Sequence, residues 1–104
     1  MFKGEGYLGS TFSVPNHPVR VGAGNPTTLP VDRSGFLVLT GYTEPTTVTD
    51  FTRGHSGQTI TVWGNPLVTI PHGGKIRTLS EAPLTLAPDR PYTFTQYNGV
   101  WSQG

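Results

Sequence analysis

Apolar and polar residues alternate in short bursts along most of this chain. Thr59-Ile60-Thr61-Val62 and Tyr92-Thr93-Phe94-Thr95 repeat with a period of two and are rich in β-branched and aromatic residues. Successive side chains of an extended strand point to opposite faces, so both segments predict half-buried β-strands. Phe36-Leu37-Val38-Leu39-Thr40, held between Gly35 and Gly41, is a continuous apolar run and predicts a strand buried on both faces. Turn signals divide the rest. Glu44-Pro45-Thr46-Thr47 leads into Val48 to Phe51, Arg53-Gly54-His55-Ser56-Gly57 into Gln58 to Trp63, Gly64-Asn65-Pro66 into Leu67 to Ile70, and Pro71-His72-Gly73-Gly74 into Lys75 to Leu79. Turn signals about eight to twelve residues apart are the rhythm of a sandwich, barrel or stacked-coil β-fold. At the end of the chain, Tyr92 to Tyr97 and Val100 to Gln103 flank Asn98-Gly99. That pair tolerates the positive φ of a type I′ turn and predicts a β-hairpin.

The first part has a different texture. Glycines and prolines punctuate residues 1–33, interleaved with Phe12, Val14, Val19 and Val21. Proline fixes its own φ and steers the preceding residue away from helix, so Asn16-His17-Pro18 and Gly24-Asn25-Pro26 should be extended or turning. Residues 1–33 are therefore expected to form an extended Pro/Gly-rich arm with one or two short strands, and residues 34–104 a β-domain. The arm carries apolar residues but cannot make a core alone, so it should order against something else.

Composition sharpens this picture. Fourteen glycines and ten prolines among 104 residues leave no stretch longer than eight residues free of both. An ordinary helix averages about eleven to twelve residues, so a helical protein is excluded and one all-β domain is expected. Only 12% of residues are charged, and sixteen threonines stand in for the missing charges. A modest core with no cysteine to staple it predicts burial of further apolar surface by oligomerisation, although a small monomeric β-sandwich remains equally open. The net charge is +1, with Lys3, Arg20, Arg33, Arg53, Lys75, Arg77 and Arg90 scattered along the chain. Nucleic acid needs a clustered basic face and is not expected as a partner. A membrane is not expected either, because the longest apolar run is far too short to span a bilayer and the N-terminus lacks an apolar signal core.

Candidate chemistry is sparse. His17, His55 and His72 sit in separate turns without metal-ligand spacing. Gly73-Gly74-Lys75 lacks the rest of a phosphate-binding loop. No serine sits in a G-x-S-x-G elbow. Glu44 and Asp50 could form a glycosidase pair only if they faced each other across a groove, and nothing in their spacing places them so. Tyr42, Trp63, Tyr92, Tyr97 and Trp101 could stack against sugar rings, but core or interface packing is their commoner use. No enzyme, cofactor or metal is expected.

Pro45-Thr46-Thr47-Val48-Thr49-Asp50-Phe51 through Gly57-Gln58-Thr59-Ile60-Thr61-Val62, then Val68-Thr69-Ile70, Gly74-Lys75-Ile76-Arg77, Leu84-Thr85-Leu86 and Tyr97-Asn98-Gly99-Val100-Trp101, resemble the C-terminal trimeric β-module of bacteriophage tailspike and pectate-lyase-like tail-fibre proteins. The resemblance spans a little over half the chain and rests mostly on strand and turn residues. It implies a small antiparallel β-sandwich or prism-like module, homotrimeric and without catalytic residues, located in the virion. Phe51, Ile60, Val62, Val68, Ile70, Ile76, Leu84 and Leu86 become candidate trimer-interface residues, though the same residues would be core in a monomer. Only some forty residues precede this module, which favours a free-standing capsid decoration or cement protein. In that role Phe2, Tyr7, Phe12 and Val14 of the arm would bind the major capsid protein or another virion protein. If Met1 is not the native start, a tailspike or fibre module leads instead, with a host surface glycan as a further partner.

Overall fold

The structure is a computed structural model and describes residues 18–104. Eleven strands and no helix occupy them: β1 (Pro18–Arg20), β2 (Thr28–Pro30), β3 (Phe36–Val38), β4 (Thr46–Thr47), β5 (Asp50–Thr52), β6 (Thr59–Trp63), β7 (Val68–Ile70), β8 (Ile76–Arg77), β9 (Leu84–Thr85), β10 (Pro91–Tyr97) and β11 (Val100–Gln103). They form a six-stranded sheet in the order β1-β3-β6-β10-β11-β8, a pair β2-β5, and a three-stranded sheet β4-β7-β9. The all-β expectation is met, and both strands at residues 18–33 are laddered into the body. Leu29 and Val31 from this stretch are buried in the core.

The sheets are not those of a simple antiparallel sandwich. β1 pairs with β3, β3 with β6, β2 with β5, β4 with β7 and β8 with β11, all in parallel, between residues 18 to 25 apart in sequence. Parallel neighbours need a long crossover, usually a helix. Here the crossover is other strands. The chain runs from β3 to β4, β5 and back to β6, visiting all three sheets in one circuit, which gives a solenoid-like stack of coils. The last circuit reverses. β9 pairs antiparallel with β7, β10 with β6, and the β10–β11 hairpin closes the stack. Its turn is the expected one, with Asn98 and Gly99 both at positive φ between the paired Tyr97 and Val100.

One corner of the stack explains several glycines and asparagines. The chain leaves the six-stranded sheet through Gly22, Gly41 and Gly64 in successive circuits. A Cβ on Gly41 would run into the backbone nitrogen of Ala23, and one on Gly64 into the carbonyl oxygen of Ala87. Only a bare backbone lets the coils stack this closely. Two Gly-Asn-Pro sequences follow this corner. Asn25 Oδ1 accepts from the Thr43 and Glu44 amides at 2.9 and 3.2 Å. Asn65 Oδ1 accepts from the Leu67 amide at 2.9 Å, while its Nδ2 donates to the Leu39 carbonyl at 2.7 Å. Both side chains thus satisfy loop backbone that no ladder reaches, and both tie one coil to another.

Inside the coils lies one cluster of fifteen buried residues drawn from all three sheets. At its centre Phe51 meets Phe94 at 5.3 Å between ring centroids and Trp101 edge-on at 5.6 Å. Tilted and edge-to-face geometries are the favourable ones for aromatic rings.

Candidate functional site

Seven of the eight residues expected at a trimer interface, Phe51, Ile60, Val62, Val68, Ile70, Ile76 and Leu86, point into this core and are buried within a single chain. Leu84 is partly buried against the same cluster. They hold the coils together, and one chain covers them without help. Phe2, Tyr7, Phe12 and Val14 lie outside the described residues.

The polar candidates are dispersed. Glu44 is exposed in the turn before β4, where its amide is capped by Asn25, and Asp50 is half-buried in β5. His55 is exposed in the loop before β6. His72 accepts the Thr78 amide on Nδ1 at 3.0 Å and so pins the turn around β8. No group of three or more potential metal ligands occurs among the described residues. The five aromatics do not make one platform. Trp101 and Tyr42 are buried, and the Tyr92 hydroxyl accepts the Ala87 amide at 2.8 Å. The Tyr42 hydroxyl donates to the Pro26 carbonyl at 2.6 Å, and burial pushes its pKa up to about 12. These phenols fix loops in place.

Tyr97 and Trp63 remain outside, on the outer face of the six-stranded sheet. Strand alternation and register define that face. Pro18, Phe36, Thr61 and Thr93 form one row across four strands, and Arg20, Val38, Trp63 and Pro91 the next. A third row joins Thr59, Thr95, Ser102 and Arg77, with the Thr59 and Thr95 hydroxyls 3.0 Å apart. Phe36 and Trp63 stack on each other at 6.2 Å with 28° between their planes, both half-buried. The β3 run expected to be buried on both faces is therefore covered on one side only: Leu37 and Leu39 are inside, while Phe36 and Val38 are half-exposed outside. At one end of the face, Arg90, Pro91, Tyr92, Thr93, Gln103 and Gly104 line an open groove of about 480 Å³.

The four inner strands of this sheet, β3, β6, β10 and β11, contain no charged residue, and the charges stand on the edge strands as Arg20 and Arg77. Sequence reasoning missed it by reading alternating strands for their inner faces. The signal was present in the unbroken apolar run at Phe36.

Comparison of the chain with protein-family models, with curated proteins and with solved structures found no match.

Proposed function

We propose that the chain is a structural, non-enzymatic protein of a bacteriophage virion that works as a homotrimer, foremost as a decoration or cement protein stabilising the head. The observation that supports this best is the uncharged outer face of the six-stranded sheet, carried on a stack of coils whose strands interlock across the sequence. Such a body serves as a scaffold, and its most distinctive surface sets Phe36, Val38 and Trp63 among threonines with no charge on the inner strands. A second reading, the trimerisation or host-receptor-binding module of a tailspike or fibre, is favoured by the antiparallel hairpin that closes the coil stack at β10–β11.

Native mass by light scattering, followed by immunogold labelling of phage particles with antibody against the protein, tests both readings. A trimer that labels heads supports the first, and a trimer that labels tail tips supports the second. A monomer, or particles that carry no label, overturns the proposal.

A further inference from the structure

We infer that Asn98 is a site of spontaneous covalent modification. At the tip of the β10–β11 hairpin the Gly99 nitrogen attacks the Asn98 side chain, and the isoaspartate that follows opens the hairpin that closes the coil stack. This chemistry is independent of the virion reading.

The chain has four asparagines. Asn25 and Asn65 precede prolines, whose nitrogens carry no hydrogen and cannot become nucleophiles. Both also have their side-chain oxygens tied to loop amides. Asn16 lies outside the described residues. Asn98 is followed by glycine, and both residues are exposed. The Gly99 amide belongs to neither strand of the ladder, since β10 ends at Tyr97 and β11 begins at Val100. Attack requires the tip to leave its pair of left-handed φ angles, and a Cβ built on Gly99 would meet nothing within 4 Å, so the tip has open space in which to move. The Asn98 main-chain N–H donates to Ser56 Oγ at 2.9 Å, but among the described residues no hydrogen bond holds its side-chain amide.

The step balances without any oxidant, reductant or metal. Solvent base takes the Gly99 amide proton, the nitrogen bonds to Asn98 Cγ, and the Cγ–Nδ2 bond breaks with Nδ2 leaving as ammonia. One water then opens the five-membered succinimide at either carbonyl, giving aspartate or isoaspartate. Isoaspartate routes the main chain through the side-chain methylene and lengthens the turn by one backbone atom. A two-residue turn with both φ angles positive sets the pairing of Tyr97 with Val100, and the longer turn no longer does. Behind the tip, β10 and β11 carry Phe94 and Trp101 into the core. A hairpin opened at its tip loosens that cover.

The test holds the full chain and a free peptide of residues 94–103 in mildly alkaline buffer until the peptide has converted. Peptide mapping by mass spectrometry should then find Asn98 of the folded chain converted to the acid, with isoaspartate present, ammonia released to match, and Asn25 and Asn65 intact. The converted protein should unfold about 5 °C or more below the fresh protein. Asn98→Gly keeps a residue pair suited to the same turn and should hold its unfolding temperature through the same incubation. A folded chain that keeps Asn98 intact while the peptide converts overturns the proposal, because the turn then protects the residue. Conversion without loss of unfolding temperature, or an equal loss in Asn98→Gly, overturns the opening of the hairpin.

Discussion

The indole N–H of Trp101 donates to the main-chain carbonyl of Phe51 at 2.8 Å, joining residues fifty apart in sequence. β5 has a ladder partner on one side only, β2, and strand alternation turns the Phe51 carbonyl to the other side. The indole takes the place of a missing strand. Replacing Trp101 with Phe keeps most of the ring packing but leaves that carbonyl unsatisfied in the core. Equilibrium denaturation should show a loss of about 1–3 kcal/mol, and Trp101→Ala a loss of about 3–5 kcal/mol. A Trp101→Phe protein as stable as wild type would show that the bond contributes nothing net.

Gly64 does not need glycine for its dihedral angles, since it is absent from the positive-φ glycines. It needs the missing Cβ, which would meet the Ala87 carbonyl oxygen and approach Tyr92 Cε1 to 3.2 Å. Gly64→Ala should therefore cost about 1–3 kcal/mol by overpacking. At about 4–8 °C per kcal/mol for a domain of this size, calorimetry would register the loss readily. Gly73, at φ 101° with open space around it, is the contrasting case. Its alanine variant should lose stability through backbone strain alone, about 1 kcal/mol.

Asn65 serves two loops with one amide, so Asn65→Ala removes both bonds and frees the Leu39 carbonyl. A loss of about 1–3 kcal/mol is expected in denaturant titration. Hydrogen exchange should rise locally at the Leu67 amide. Unchanged protection there would contradict the assigned contact.

Tyr42 makes stability depend on alkali. Its folded pKa of about 12 lies above the ordinary value of 10.0, because burial disfavours the phenolate. The folded state then holds a proton that the unfolded state releases, so this contribution is complete below pH 10 and is lost as pH rises from about 10 to 12. The loss is on the order of 2 kcal/mol. In Tyr42→Phe that slope should disappear, at a pH-independent cost of about 1 kcal/mol for the bond to Pro26. Parallel alkaline titrations of the two proteins would show it.

Strand content and the terminal hairpin were legible because they depend on local rules: period two at Thr59 to Val62, and a turn at Asn98-Gly99 that few other residue pairs allow. The parallel stacking was not. Whether β3 pairs with its sequence neighbour or with a strand 25 residues later depends on coil length and corner packing, and Gly41 and Gly64 show their purpose only when Ala23 and Ala87 are seen against them. The interface list reached inward residues for a related reason. Ile60 and Val62 are the apolar phase of β6, and a sequence does not say whether that phase faces the chain's own core or a neighbour. The outer phase was equally hard to read, because Trp63 shares its face with threonines that make the strand look solvent-ready.

The closing of the stack by its last hairpin sets the order in which the fold can be completed. Phe51 and Ile60 receive Trp101 and Phe94 as partners only after some forty further residues have been made. Contacts this distant in sequence slow folding, because loop closure must be met before the contact stabilises anything. Until that segment is in place the coils carry open strand edges and an uncapped core, so the yield of folded protein should fall as temperature rises and the incomplete stack has more chance to aggregate.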